Sequence, residues 1–311
     1  MRVLFWGTPD FAAPALRALI GEGFDVAGVV TQPDRPVGRS RSKLEAPPVK
    51  EIAERENLPV LQPEHPRGDA FRSQIAALEP DVSVVVAYGH ILPSAVIDVP
   101  RLGTLNIHAS LLPALRGAAP IQTAIREGLA ETGVSIMRMV PALDAGPVLL
   151  RLATPIYDDE TAGELSLRLS EMGAAALIEA LALLELGAAR EEPQDDSRAT
   201  YAPKIEREMT RVDWALPADA VARLVRAYDP RPGAFATLAG AEVKLFGARP
   251  VAGARGAAGE VLSVDDEGLV VACGTGAIQL TSVQPSGKRR MPPADWQRGR
   301  GVSVGQRFDA A

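Results

Sequence analysis

The chain has 311 residues, 47% of them hydrophobic and 23% charged, with a formal net charge of −6. That length is long for one domain and comfortable for two, and the apolar fraction suffices for packed cores. A single cysteine, Cys273, excludes an intramolecular disulfide and fits a reducing cytoplasm; with only three dispersed histidines (His65, His90, His108) it excludes a Cys/His zinc cluster, and no apolar run reaches membrane-spanning length.

Arg2–Trp6 reads as a strand and Phe11–Gly21 as a helix, with Phe11, Leu16, Leu19 and Ile20 on helical spacing. Gly7-Thr8-Pro9-Asp10 cuts the first apolar stretch too short for a signal peptide. Val26–Thr31 is a second strand, Pro48–Arg55 a helix, Leu58–Leu61 a short strand and Ala70–Leu78 a helix. Asp81–Tyr88 (DVSVVVAY) is the continuous apolar run of a strand buried on both faces. Leu102–His108, a helix from Pro120 to Gly128 and a strand Gly133–Val140 follow, and Gly163–Leu186 is one long Ala/Leu helix. This alternation predicts an α/β fold with a doubly wound, mostly parallel, Rossmann-like sheet.

The polar run Glu191–Ser197 reads as a linker, set at residues 190–207 between a first domain at 1–189 and a second at 208–311. After a helix at Ala218–Tyr228 come five short strands, in GAFATLAG, AEVKLFGA, GEVLSV, LVVACG and AIQLTSV, separated by tight turns. They predict a small closed or partly open barrel of OB-like character. Charge is uneven: residues 1–207 carry 20 basic and 28 acidic residues, and residues 208–311 carry 13 and 11. An acidic chain can still bind an anion where its local field is positive.

The stretch NIHASLLP at 106–113 carries the most chemistry. On an extended strand Asn106, His108 and Ser110 share one face, which presents an amide, an imidazole and a hydroxyl in a row. Such a histidine can also be a satisfied core group, and the surrounding chain has to decide. Ligands of open α/β sheets sit beyond the carboxyl ends of the strands. The ends at Tyr88–Pro93 and Val140–Gly146 are expected to converge with this one. Asp144 is the only carboxylate between Glu131 and Asp158. It is either a turn aspartate or, paired with His108, an acid–base constellation in which the carboxylate orients the ring and favours its charged form. The first strand is followed by GTPDF rather than GxGxxG, and neither a P-loop nor a GxSxG elbow occurs. Hydride transfer with a nicotinamide cofactor, P-loop chemistry and serine hydrolysis therefore lose their sequence support.

The set NxHxSLLP, followed by Arg116-Gly117 and later by Leu143-Asp144-x-Gly146, resembles the folate-dependent formyltransferases. More narrowly, GTPDFA (7–12), TQPDRPVGR (31–39), VVVAYGHILP (84–93), RGAAPIQ (116–122) and ETGVSIM (131–137) resemble the branch acting on an aminoacyl-tRNA. RAYDPRPGA (226–234) and QPSGK (284–288) carry the likeness into the second domain. The resemblance implies formyl transfer from 10-formyltetrahydrofolate, as cosubstrate, to the amino group of methionyl initiator tRNA for translation initiation, without a metal. Its catalytic trio falls on Asn106, His108 and Asp144. Its folate contacts fall on Ser110, Leu111, Leu112 and Pro113 and on Tyr88, Gly89, Ile91 and Leu92. Ala109 departs from the expected glycine. Chemically, Asn106 and a charged His108 would donate to the oxyanion formed when the amine attacks, and Asp144 would relay the proton.

Arg35–Lys43 holds four basic residues and no acid at a strand end beside this site. It is a solvated loop on its own terms; by resemblance it grips the tRNA acceptor end through Arg35, Arg39, Arg41 and Lys43. Lys288 and Arg289 in the second domain, with Arg290, Arg298, Arg300 and Arg307, suit low-specificity tRNA positioning, with an inert stabilising barrel as the alternative. A small-amine acceptor, glycinamide ribonucleotide or an amino-sugar nucleotide, is the rival within the family. A tRNA-binding module with a decayed folate site and a dehydrogenase are the others. A cytoplasmic monomer is expected.

Overall fold

The structure, a computed structural model, describes residues 1–37 and 43–310. Contacts group them into two compact units. The first comprises Met1–Gly117, Thr132–Thr154 and Ser166–Tyr201; the second comprises Ala118–Glu131, Pro155–Leu165 and the chain from Ala202 onward. Among the described residues no helix is long and apolar enough to cross a membrane.

In chain order the elements up to the site are β1 (Arg2–Gly7), α1 (Ala13–Gly21), β2 (Asp25–Val30), β3 (Arg35–Val37), β4 (Lys43–Glu45), α2 (Pro48–Arg55), β5 (Val60–Leu61), α3 (Asp69–Ala76), β6 (Val82–Val86), α4 (Ser94–Ile97) and β7 (Thr104–His108). They continue with β8 (Arg116–Gly117), α5 (Pro120–Glu127), β9 (Glu131–Arg138), β10 (Val148–Pro155), α6 (Ala162–Glu185) and β11 (Tyr201–Ala202). Prolines open α2 and α5, where a missing N–H costs nothing and φ is already helical. Seven strands form one sheet in the order β10-β9-β7-β6-β1-β2-β5. The five from β7 to β5 are parallel, as expected, and all five residues of β6 are buried. Trp6, Phe71 and Tyr88 pack edge to face in the core on one side of this sheet. Gly173 of α6 lies against β7: a Cβ there would stand 2.8 Å from Ile107 Cγ2, so the missing side chain lets the helix close on the strand.

Three features differ from the sequence expectation. First, β9 runs antiparallel to β7, with Leu105 opposite Arg138 and His108 opposite Ser135. Its carboxyl end is therefore level with Leu105 and not with His108, and Asp144 reaches the site through the returning turn 139–147. Second, β10 is an additional strand: its apolar run is broken by Arg151 and Thr154, and Glu192 pairs with its first residue, Val148. Third, the basic segment read as a loop begins and ends as a hairpin, with Arg35 opposite Glu45 and Pro36 opposite Leu44.

The second unit contains α7 (Ala218–Tyr228) and five antiparallel strands, β12 (Ala234–Leu238), β13 (Ala241–Val251), β14 (Val261–Asp265), β15 (Gly268–Ala272) and β16 (Ala277–Pro285), followed by α8 (Pro293–Arg298). The sheet order is β12-β13-β16-β15-β14. The C-terminal segment joins both edges: Asp309 N donates to Thr237 O, Phe308 N to Gly259 O and Val261 N to Gln306 O. That closure matches the expected OB-like barrel. Val221, Val225 and Tyr228 of α7 face its core with Trp214 and Phe308.

Candidate active site

Four parallel strands end at one edge. Thr8, just after β1, donates its hydroxyl to Tyr88 O at 3.0 Å, and Gln32, just after β2, donates its amide to the same carbonyl at 2.9 Å. Tyr88 follows β6, whose Val85 lies beside Asn106 of β7. The chain leaves β7 through a turn braced by Ser135: this buried hydroxyl donates to Ser110 O (2.7 Å) and accepts from Leu112 N (3.1 Å). Ser110 is buried as well, and its hydroxyl donates to Ala114 O.

His108 is 5% exposed. Its Nε2 lies 2.9 Å from Leu115 O. A carbonyl only accepts, so Nε2 carries a hydrogen and Nδ1 is the nitrogen left to face Asp144. Asp144 Oδ2 stands 3.7 Å from Nδ1 and accepts a 2.8 Å hydrogen bond from Gly117 N. The two residues expected to form an acid–base pair thus meet, although they are separated by an antiparallel strand and a turn. Asp144 has φ +47, a left-handed conformation that Asp and Asn tolerate better than most residues. Gly146 completes the turn, because a Cβ there would lie 1.8 Å from Arg138 O. Asn106 is partly exposed on the same strand, and its side-chain amide has no hydrogen-bond partner among the described residues. The site therefore offers an uncommitted amide, an imidazole and a carboxylate, the set that can polarise a carbonyl and move a proton.

The formyl transferase family model matches residues 1–181, and the model for the formyl transferase C-terminal domain matches residues 204–301. A methionyl-tRNA formyltransferase of Aromatoleum aromaticum is 50% identical over 311 residues, covering all of this chain and 98% of the relative. The chain belongs to the formyl transferases, among the methionyl-tRNA formyltransferases. HypX from Aquifex aeolicus, solved in complex with tetrahydrofolic acid, resembles this formyl transferase at 25% identity with a TM-score of 0.68, over 95% of this chain and 46% of that one. A methionyl-tRNA formyltransferase from Clostridium thermocellum shares the fold at a TM-score of 0.60 and 15% identity, over 82% of this chain and 95% of its own.

The residues assigned to folate in this formyl transferase divide by exposure. Tyr88 and Leu92 are 1% and 3% exposed, so their side chains belong to the core; only the backbone of Tyr88 reaches the strand-end edge. Burial pushes the Tyr88 phenol up to about 12, and its hydroxyl has no partner among the described residues. Ile91 is 88% exposed, Gly89 and His90 are also open, and Leu143 next to Asp144 is 59% exposed. Leu111, Leu112 and Pro113 line a groove of about 480 Å³ with Arg151, Glu192 and Arg198. None of Tyr88, Gly89, Ile91 and Leu92 lines it, nor do Asn106, His108 and Asp144, so that groove is not the reaction cleft. Ser110 offers no free hydroxyl, and its carbonyl accepts from Ser135.

Of the residues assigned to tRNA, Arg35 is exposed and donates to the Gln32 side chain. Arg39 and Arg41 lie outside the described residues, as does the side chain of Lys43. Lys288 and Arg289 are exposed in the turn after β16 and form no ion pair among the described residues. Their neighbour Arg290 is committed, stacked 4.1 Å over Phe246 and paired with the buried Asp229. Arg207 covers Phe235 in the same way, and Trp296 and Phe308 are core residues. The barrel therefore has no open aromatic platform among these four rings. The residues missed from sequence are those that hold the pair in place, Leu115, Arg116, Gln194 and Thr200.

Proposed function

We propose that this chain transfers the formyl group of 10-formyltetrahydrofolate to the α-amino group of methionyl initiator tRNA. The observation that carries the reading is the end-to-end likeness to a methionyl-tRNA formyltransferase at 50% identity, through both family domains. The site's chemistry agrees with it. As the amine attacks the formyl carbon, the carbonyl oxygen gains negative charge, and Asn106 can donate to it without giving up any partner among the described residues. One such donor is worth about 3 kcal/mol in a preorganised site. His108 can add a second donor only by exchanging the Leu115 carbonyl for the oxyanion. Asp144, facing Nδ1, balances a charged ring and, directly or through water, passes the amine proton towards the leaving folate nitrogen.

Exposed Gly89, Ile91 and Leu143 supply an apolar approach for the pterin beside the Asn106, His108 and Asp144 side chains, while Ser110 and Leu112 are buried and shape the site from behind. Arg35, Arg39, Arg41 and Lys43 would meet the tRNA acceptor end, and Lys288 and Arg289 its backbone further along. In this reading residues 1–189 are catalytic, 208–311 position tRNA and 190–207 connect them, and a translation substrate sets the work in the cytoplasm. An acid-gel assay with 10-formyltetrahydrofolate tests the function on three acceptors. Formylation of methionyl initiator tRNA in strong preference to elongator methionyl-tRNA and free methionine is expected. Equal use of all three would remove tRNA from the account.

A further inference from the structure

The polar segment after α6 does more than join two parts of the chain. Its Glu192 exchanges both backbone hydrogen bonds with Val148, at 2.9 Å each. Glu191 pairs with Arg138 at the foot of the Asp144 turn, and Glu192 pairs with Arg151, whose Nε donates to Leu112 O. Gln194 uses its whole side-chain amide. Nε2 donates to Asp144 O at 2.8 Å and to Gly146 O at 2.7 Å, while Oε1 accepts from Arg116 Nε and Nη2. Arg116 is 4% exposed and also reaches Asp196 at 2.7 Å. Further on, Thr200 Oγ1 accepts from Leu115 N at 2.8 Å, and Thr200 O accepts from Arg116 N. Leu115 sits at φ +58, an unfavourable conformation for a leucine, and presents to His108 the carbonyl that takes its Nε2 hydrogen.

We propose that Gln194 and Thr200 are positioning residues for formyl transfer, one setting the carboxylate and the other the imidazole of the His108–Asp144 pair. Neither side chain touches the reacting atoms; this role rests on the function proposed above. The Asp144 turn and the Leu115 turn come from distant parts of the chain, and both are held by the stretch 194–200 through hydrogen bonds of 2.7–2.8 Å. With either hold removed, Gly117 N still binds Asp144 Oδ2, but the turns that set the 3.7 Å separation of Nδ1 and Oδ2 are held less tightly. Small displacements of a catalytic group reduce the chemical step and leave substrate affinity largely intact.

Isosteric variants test this. Gln194→Met keeps the length of the side chain and loses its amide; Thr200→Val keeps its shape and loses the hydroxyl; Thr200→Ser returns it. With melting temperatures near that of the parent, each of the first two is expected to lower kcat about tenfold while KM for both substrates stays within about twofold. Thr200→Ser is expected to restore kcat. The three histidines give a readout that needs no substrate: in 15N-labelled protein both variants should shift the His108 ring signals and leave those of His65 in place. Unmoved His108 signals, a kcat within twofold of the parent, or a Thr200→Ser protein as slow as Thr200→Val would each overturn the proposal. Thr200 is exposed, so Thr200→Val decides the matter if Gln194→Met does not fold. A parent protein without formylating activity would strike at the proposed function instead, and the ring signals would still test the brace.

Discussion

Replacing Asp144 by Asn removes one charge with almost no change of shape. Asparagine tolerates the φ of +47 at this position, and its side-chain oxygen can still accept from Gly117 N, so the turn is expected to persist. What disappears is the attraction that the carboxylate, 3.7 Å from Nδ1, would exert on positive charge developing on the His108 ring as the amine proton is moved. Coulomb's law gives that attraction about 4 kcal/mol at an effective dielectric constant of about 20 and about 1 kcal/mol in bulk water. The carboxylate is 15% exposed, which puts the site nearer the first figure. Each 1.4 kcal/mol is about a factor of ten, so kcat should fall by about two to three orders of magnitude. Single-turnover formylation with saturating donor measures this, with melting temperature as the check on folding. An Asp144→Asn protein that melts like the parent and turns over within threefold of it would refute the electrostatic role of Asp144.

Other variants probe other parts of the account. Arg39→Ala and Arg41→Ala should each weaken tRNA use and reduce its salt slope by about one, with folate binding unaffected in a titration. Gly146→Ala drives a Cβ into the Arg138 carbonyl and should cost about 2–4 kcal/mol by denaturant unfolding, as overpacking against backbone does, along with most of the activity. Tyr88→Phe removes a buried hydroxyl that has no partner among the described residues and should leave kcat and KM near the parent values, because the phenol lies in the core. The same residue makes stability pH-dependent. The folded-state phenol titrates near 12 against 10 for a free one, so the unfolded chain loses its proton first. Stability is then complete below about pH 10 and falls by about 2–3 kcal/mol as the pH rises towards 12; the Tyr88→Phe curve should be flatter there.

Local pattern carried far along this chain. The helices at Pro48–Arg55 and Ala218–Tyr228 have the bounds their apolar spacing and proline signals imply. The continuous apolar run around Val82–Val86 is the fully buried central strand it resembles. Asn106, His108 and Asp144 were visible because chemically distinct side chains interrupt apolar stretches and sit in recognisable motifs. Strand direction was not visible: β9 has the same composition whether it runs with β7 or against it, and the register from Leu105 opposite Arg138 to His108 opposite Ser135 fixes the choice. Exposure was only half visible. Tyr88 and Ile91 are three residues apart in one motif, yet one lies in the core and the other faces solvent. The brace was hidden for a different reason. Gln194 reaches Asp144 across 50 residues and Thr200 reaches Leu115 across 85, and nothing in a polar stretch such as EEPQDDS specifies which distant carbonyl its amide will meet.

The central claim is that an imidazole and a carboxylate, brought together at the carboxyl edge of a parallel sheet, drive formyl transfer to the methionyl amine of a tRNA. A single turnover from 10-formyltetrahydrofolate labelled in the formyl carbon, on methionyl initiator tRNA, tests it most directly. The parent protein is expected to place the label on the methionine nitrogen, recovered as formylmethionine after the ester is hydrolysed. A folded His108→Ala protein is expected to transfer almost none in the same time. Equal transfer by the two proteins, or none by the parent, would contradict it.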